Sequence, residues 1–434
     1  GFIIIFSSNS QPCVRAYSES GEVIWDTIEL QSLSEPNSSS EINFFRAGTD
    51  FIFCLNSNWH NVYIQKISST GEKLLGDSGN LFYEGTEYIP QISTAQKDDY
   101  WILSIVKLNS IQVYKLDFNG NFLWNAPFVI QDSSYMDTYT TINDNNEIYI
   151  NYISNGLSQY YKNTGKTIKL SSEGQPLFPE VSRVFSYENA FIQYLNCFMI
   201  NNHLFYYWNE NSDNTIRCQI LDPSDHYIFN DGPAFLLQAG QSYISDLRIC
   251  ASASSVFIVW RENKHNDTHL YRYQIVDLNG FTILEENGRI LTNTDNDIKL
   301  VDMKIDMNGS LIVWWNELQD SLLWGKVQKI DNAGNQLFNP EGINIFHSIV
   351  QYYDINDIGP HTMYQEGETC YFYYNQWVES IENSGIYGQK LVNDQVVWEA
   401  QGRLILNHFY TGIRTVNLLS TSLNQNMIAW HERD

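Results

Sequence analysis

Tryptophan followed two residues later by glutamate recurs four times in this chain, as Trp208-Asn-Glu210, Trp260-Arg-Glu262, Trp315-Asn-Glu317 and Trp430-His-Glu432. An indole offers a flat apolar face and a carboxylate offers strong acceptors, so the pair suits a glycan by stacking and hydrogen bonding, or a cation. The competing role is mechanical: a tryptophan at a strand end plugs the joint between neighbouring sheets. Trp208, Glu210, Trp260, Glu262, Trp315, Glu317, Trp430 and Glu432 are therefore the candidate ligand-binding set.

Other chemistry is sparse, and no catalytic residue, metal site or cofactor is expected. His265-Asn-Asp-Thr-His269 carries two imidazoles four apart, but it sits in a polar stretch between strand-like runs and reads as a solvated loop. Asp277-Leu-Asn-Gly280 and Asp306-Met-Asn-Gly309 imitate calcium-loop fragments without the distal glutamate, and hairpin turns account for them. His-Glu-x-x-His, Gly-x-Ser-x-Gly and phosphate-cradling glycine loops are absent.

The elements that hold these residues repeat. Turn positions fall at Gly21, Gly71, Gly120, Gly165, Asp225, Gly280, Gly334 and near Asp394. Ahead of them stand Arg15, Gln65, Tyr114, Gln159, Gln219, Gln274, Gln328 and Gln389, glutamine in six of eight copies. A second glycine follows at Gly79, Gly174, Gly232, Gly288, Gly342 and Gly402. Asn-Gly and Ser/Thr-Gly supply the positive φ that a two-residue hairpin needs, so each copy contains a hairpin. Before each hairpin runs an apolar strand such as Tyr100–Ile105, Val256–Trp260 or Leu311–Trp315, and another strand-like run precedes that one. Four strands per copy and almost no helical periodicity predict an all-β fold, an eight-bladed β-propeller of four-stranded antiparallel blades. The one irregular stretch, Arg183–Ile200, fits a short helix or a long twisted strand. An open array of blades is the structural alternative to a closed propeller.

No linker or change of composition interrupts the 434 residues, which predicts one domain over 1–434. The ends are out of phase: the chain opens on a second strand (Phe2–Phe6) and finishes with a first and a second (Ile413–Ser420, Met427–Trp430). Cys13–Leu30 and Ile413–Trp430 should then share a blade, with one second strand to spare. The repeated glutamine, by its regularity, is expected to be buried and to tie backbone together rather than to bind a ligand.

Fifty acidic against 25 basic residues give a formal charge of −25, which opposes nucleic acid or an anionic membrane as partner. No apolar run reaches 18 residues, so no membrane insertion is expected. Gly1-Phe-Ile-Ile-Ile-Phe lacks the basic start and cleavage site of a signal peptide. Six widely spaced cysteines, mostly inside apolar strands, read as structural thiols.

Lys115-Leu-Asp-Phe-Asn-Gly120-Asn-Phe-Leu-Trp124, with a degraded copy at Lys329–Phe338, resembles the repeat of bacterial secreted and cell-surface β-propellers. Asp117–Gly120 with Trp124, and Ser20-Gly21 with Trp25, are also similar to the docking element of quinoprotein-type eight-bladed propellers. Both resemblances imply a propeller. The chain lacks the adjacent cysteine pair of quinoprotein dehydrogenases, which sets it apart from that activity.

Two functions fit. One is a non-catalytic extracellular or cell-surface scaffold or recognition propeller that binds a protein or glycan on one face. The other is an extracellular polysaccharide-active enzyme using Asp/Glu residues near the central channel, where two carboxylates roughly 5 to 9 Å apart would be required.

Overall fold

The computed structural model describes the chain apart from residues 1, 9–10, 18–22, 31–38, 58–59, 86–88, 90, 108, 133, 156–162, 179–181, 187–191, 211–214, 230–233, 239–242, 264–268, 295, 320–321, 350–360, 377–384, 401, 408–411, 422–424 and 434. The described residues are all-β, in eight sheets that are mostly four antiparallel strands: the blades of an eight-bladed β-propeller. None of them forms a helix long and apolar enough to cross a membrane.

The chain starts with β1 (Phe2–Ser8), β2 (Gln11–Tyr17) and β3 (Val23–Glu29). Blade I follows as β4 (Ser39–Ala47), β5 (Asp50–Ser57), β6 (Asn61–Ile67) and β7 (Asn80–Glu84). Blade II is β8 (Gln91–Gln96), β9 (Tyr100–Val106), β10 (Ser110–Asp117) and β11 (Phe128–Gln131). Blade III is β12 (Ser134–Ile142), β13 (Ile148–Asn155), β14 (Asn163–Leu170) and β15 (Arg183–Val184). Blade IV is β16 (Ile192–Ile200), β17 (His203–Glu210), β18 (Thr215–Leu221) and β19 (Ala234–Gln238). These four blades make one compact unit, 29–238.

The second unit holds 1–28 and 239–434. Its blade V is β20 (Tyr243–Ala251), β21 (Ser255–Asn263), β22 (His269–Asp277) and β23 (Arg289–Thr294). Blade VI is β24 (Asp297–Ile305), β25 (Leu311–Gln319), β26 (Leu322–Ile330) and β27 (Ile343–Ile349). Blade VII is β28 (His361–Glu366), β29 (Thr369–Gln376), β30 (Gly385–Val392), β31 (Gln395–Val396) and β32 (Arg403–Asn407), the last two both pairing with β30. The last strands are β33 (Gly412–Thr421) and β34 (Gln425–Arg433). They join the first three in the order β3-β2-β1-β34-β33. The two ends thus share a blade, and the spare second strand is inserted: β1 lies parallel to β34, Ile4 opposite Ile428.

Burial explains the strand order within a blade. Second strands are covered on both faces, as in β9, buried at all seven positions. Third strands alternate, as β10 does, and outer strands such as β7 are largely exposed. The cores lie between successive blades; one joins Val259, Tyr271 and Ile275 of blade V to Leu300, Val313 and Trp315 of blade VI. The described residues of Arg183–Ile200 contribute β15 and β16 and no helix.

The connection between third and fourth strands departs from the two-residue hairpin expected. At Asp117–Gly120, Gly120 N–H donates to Asp117 O (3.0 Å), while Asp117 Oδ1 accepts from the amides of Asn119 (2.8 Å) and Asn121 (2.9 Å). This is a three-residue loop closed by a left-handed residue, Gly120 at φ 81°. Asp222, Asp277 and Asp331 cap their loops identically, and Ser68 and Ser171 do so with Oγ. Among the described connections only Asn393-Asp394 is a two-residue turn, both residues at positive φ. In blade III the turn is Ser171–Gly174, so Gly165 is misplaced in the sequence reading: it lies inside β14. Gly21, Gln159 and Gly232 fall outside the described residues.

Gln65, Gln219, Gln274, Gln328 and Gln389 are all buried and clamp this connection. Gln328 Oε1 accepts from the amides of Lys329 (2.9 Å) and Phe338 (3.0 Å), and its Nε2 donates to Asn339 O (2.8 Å). Gln274 repeats the scheme with Ile275, Leu284 and Glu285. Gln389 also reaches blade VI, donating to Ile345 O at 3.0 Å. Each amide satisfies loop groups that would otherwise be buried unpaired.

Lysine follows the clamp residue in several copies and bridges to the next blade's turn. Lys66 Nζ donates to Asn119 Oδ1 (3.1 Å), Lys115 to Ser172 O (3.0 Å), Lys169 to Asp225 Oδ1 (2.8 Å) and Lys329 to Asp394 Oδ1 (3.5 Å). Blade V has Ile275 at this place, and Tyr273 Oη (2.8 Å) with Arg289 Nη1 (2.9 Å) donates to Gly334 O instead.

Candidate functional site

The three described tryptophans of the candidate set occupy one equivalent position, two residues beyond the residue that pairs with the clamp glutamine. Tyr206, Ile258 and Val313 face Gln219, Gln274 and Gln328, which places Trp208, Trp260 and Trp315. Their exposures are 0%, 1% and 0%. The second glycine of the repeat makes room for two of these rings. A Cβ on Gly288 would lie 2.8 Å from Trp260, and one on Gly342 would lie 2.7 Å from Trp315. Both glycines also hold positive φ, 63° and 75°.

Directly across from each tryptophan stands a cation: Trp208 faces Arg217, Trp260 faces Arg272 and Trp315 faces Lys326. Glutamate two residues on shares that face of the sheet, because side chains alternate along a strand. Glu210 therefore pairs with Arg217, Glu262 with Arg272 (3.0 Å) and Glu317 with Lys326 (2.6 Å). Blade III builds the same pair from different residues. Tyr152 faces Lys166, and Asp132, just after β11, supplies the carboxylate at 2.7 Å. Asp132 also accepts from Ser154 Oγ (2.7 Å) and Tyr152 Oη (3.1 Å). Trp430 and Glu432 lie in β34, opposite Val416 and Ile413, and their side chains are outside the described residues.

One member of the set opens onto a cleft. A cavity of about 480 Å³ in the second unit is lined by Thr292, Thr294, Asn296, Glu317, Gln319 and Lys326, with Gln336 and Glu341 at its side. Glu317 is its anchor. Its Oε1 accepts from Asn296 Nδ2 (2.6 Å) and Thr294 Oγ1 (3.3 Å), and Oε2 meets Lys326. Burial pushes the Glu317 carboxyl up, but bonds from Lys326, Asn296 and Thr294 outweigh it and hold the group below the usual carboxylate range. The result is a fixed negative charge beside a fixed positive one, flanked by amides and hydroxyls with spare hydrogen-bonding capacity.

Asp132, Asn296 and Gln319 were not legible as site residues. Asn296 and Gln319 sit in or beside polar connections without a repeated spacing, and Asp132 belongs to the blade before the one it serves. Among the described residues no cluster of three or more His, Cys, Asp or Glu could hold a metal ion. His265 is outside the described residues and His269 opens β22. The six cysteines form no disulfide, and burial raises the thiol of Cys250 to about 11 and of Cys370 to about 12.

No protein-family model matches the chain, and no curated protein does. Solved structures that resemble it include a family PL25 ulvan lyase bound to -[GlcA(1-4)Rha3S]-, at 9% identity and TM-score 0.43 over 70% of this chain and 81% of that one. The polysaccharide lyase Uly1 matches at 9% identity and TM-score 0.46 over 91% and 99%. Oligopeptidase B from Leishmania major matches at 8% identity and TM-score 0.48 over 90% and 53%. At these scores no residue role passes from any of them to this chain.

Proposed function

We propose that this protein is a non-catalytic extracellular or cell-surface recognition propeller whose partner is a glycan. The observation that carries the reading is the Glu317 cleft, where two carboxylates (Glu317 and Glu341), an ammonium, three amides and two hydroxyls line a space of about 480 Å³. Such fixed, planar and paired hydrogen-bonding groups match the vicinal hydroxyls of a sugar. Within this reading Glu317 contacts the ligand, its counterparts Glu210 and Glu262 offer equivalent positions, and Trp208, Trp260 and Trp315 brace them from behind.

Recognition rather than cleavage is supported by the direction of tuning in the cleft. Glu317, the anchoring carboxylate of the cleft, is held below its ordinary range. A general acid for glycosidic cleavage requires the opposite displacement. We take 1–434 as one domain, which predicts a single calorimetric unfolding transition.

Calorimetric titration against a panel of oligosaccharides tests the site. Asn296→Ala and Gln319→Ala should each weaken binding about tenfold, the equivalent of 1.4 kcal/mol; Gln319→Ala should do so without lowering thermal stability, whereas Asn296→Ala also removes a bond to the buried Glu317 carboxylate and should lower it. Unchanged affinity in both variants removes the cleft from the account.

A further inference from the structure

A second cavity, of about 680 Å³, lies in the other unit between blades II and III. Lys115, Leu123, Trp124, Phe128 and Gln175 line it together with one acid, Glu173, whose carboxylate lies outside salt-bridge distance of Lys115 Nζ. Leu123 is 49% exposed although aliphatic, and Trp124 and Phe128 are half-buried. The Trp124 ring is held in place, its Nε1 donating to Ser172 O (2.9 Å) and its ring against Gly174, where a Cβ would stand 3.0 Å away.

Lys115 differs from its counterparts. Lys66 has Asp50 at 3.2 Å, Lys169 has Glu147 (3.0 Å) and Asp225, and Lys329 has Asp306 (3.1 Å) and Asp394. Among the described residues no carboxylate stands within salt-bridge distance of Lys115 Nζ. Gly174 stands where blade IV has Asp225, so the blade III turn offers Lys115 Nζ the backbone carbonyl of Ser172 (3.0 Å), and the Tyr100 ring lies 4.0 Å below. An ammonium has three donors, so at least one remains to face the cavity.

We propose that this groove binds a saccharide carrying an acidic group, a carboxylate or a sulfate ester, with that group on Lys115 Nζ and the apolar face of the sugar against Trp124 and Phe128. Gln175 and Asn125 stand at the wall for the hydroxyls. The inference rests on the glycan reading above but uses a different cleft and a different ligand charge. Burial already pulls the Lys115 ammonium down, against the upward pull of Asp99 and Glu173. Part of its desolvation has thus been met before a ligand arrives, and an incoming anion replaces lost solvation. Binding should fail as pH rises through this lowered pKa, earlier than for an ordinary lysine.

The test is calorimetric titration of the full chain with three oligosaccharides of equal length: a hexuronate, a sulfated and a neutral one. At least one acidic ligand should bind about tenfold or more tightly than the neutral one, a gap of 1.4 kcal/mol. Lys115→Met should erase that preference and Lys115→Arg should keep part of it. Neutral binding through the Glu317 cleft persists in both variants and reports that they are folded. Equal binding of acidic and neutral ligands, or a preference that survives in Lys115→Met, overturns this inference alone. Binding of none of the three by the unaltered chain overturns the glycan reading, and this inference with it.

Discussion

Lys169 Nζ in blade III sits 2.8 and 2.9 Å from the two carboxylate oxygens of Asp225, 56 residues on in the turn of blade IV. Burial pulls this ammonium down, but Asp225, Glu147 and Tyr149 outweigh it and hold it well above the ordinary lysine range. A folded pKa raised above the unfolded one means the contribution is complete at neutral pH and lost only as pH climbs through the folded value. Lys169→Met should cost about 3 kcal/mol at pH 7, the lower end for breaking a buried pair, with the deficit shrinking in strongly alkaline buffer. Denaturant midpoints at two pH values check it.

Glu317 carries the opposite sign. Its folded pKa is depressed, so its contribution is present above the unfolded value and lost as pH falls through the folded one. Glu317→Gln leaves Lys326 facing an uncharged amide and should destabilise by about 3 kcal/mol at neutral pH. That penalty should vanish in acid below the normal carboxylate range. A constant penalty across pH would show the carboxylate to be uncharged in the folded protein.

Gln274→Leu removes an acceptor for the amides of Ile275 and Leu284 and a donor to Glu285 O. The buried groups left behind should cost about 1–3 kcal/mol. Thermal unfolding should register the loss while oligosaccharide affinity stays unchanged.

Glycines separate two physical effects. In β26, Gly325 lies under the Phe346 ring, and Phe346 stacks on Tyr374 of blade VII at 3.8 Å. Gly165 repeats this under Phe185, which stacks on Tyr206 at 4.2 Å. Gly325→Ala must displace that ring and should cost about 1–3 kcal/mol through overpacking. Gly120→Ala meets open space and only the strain of φ 81°, so about 1 kcal/mol is expected. Melting temperatures of the two variants should rank in that order.

Much of this fold could be read because its determinants are local. The capping Asp or Ser, the left-handed glycine three residues later and the clamp glutamine three before all lie within one short segment. Blade III was misread where that locality failed: Ile168 stands at the clamp position, and Thr164-Gly165 imitates a turn inside a strand. The lysine bridges were illegible for another reason. Lys66 and Asn119, or Lys329 and Asp394, meet only because successive blades pack, and nothing local marks the partner. Tryptophan and glutamate were visible as a pair, but the cations that neutralise the glutamates lie on the next strand. Which glutamate opens on a cleft depends on Asn296 and Thr294, whose positions follow no repeat.

The most direct test incubates the protein with a panel of polysaccharides and measures, in the same samples, the fraction bound and the chain length recovered. Recognition without catalysis predicts that at least one polysaccharide is retained by the unaltered chain and recovered at full length. Retention should fall about tenfold in Asn296→Ala and Gln319→Ala, about 1.4 kcal/mol each. Shortened chains, or no retention of any polysaccharide, would contradict the account.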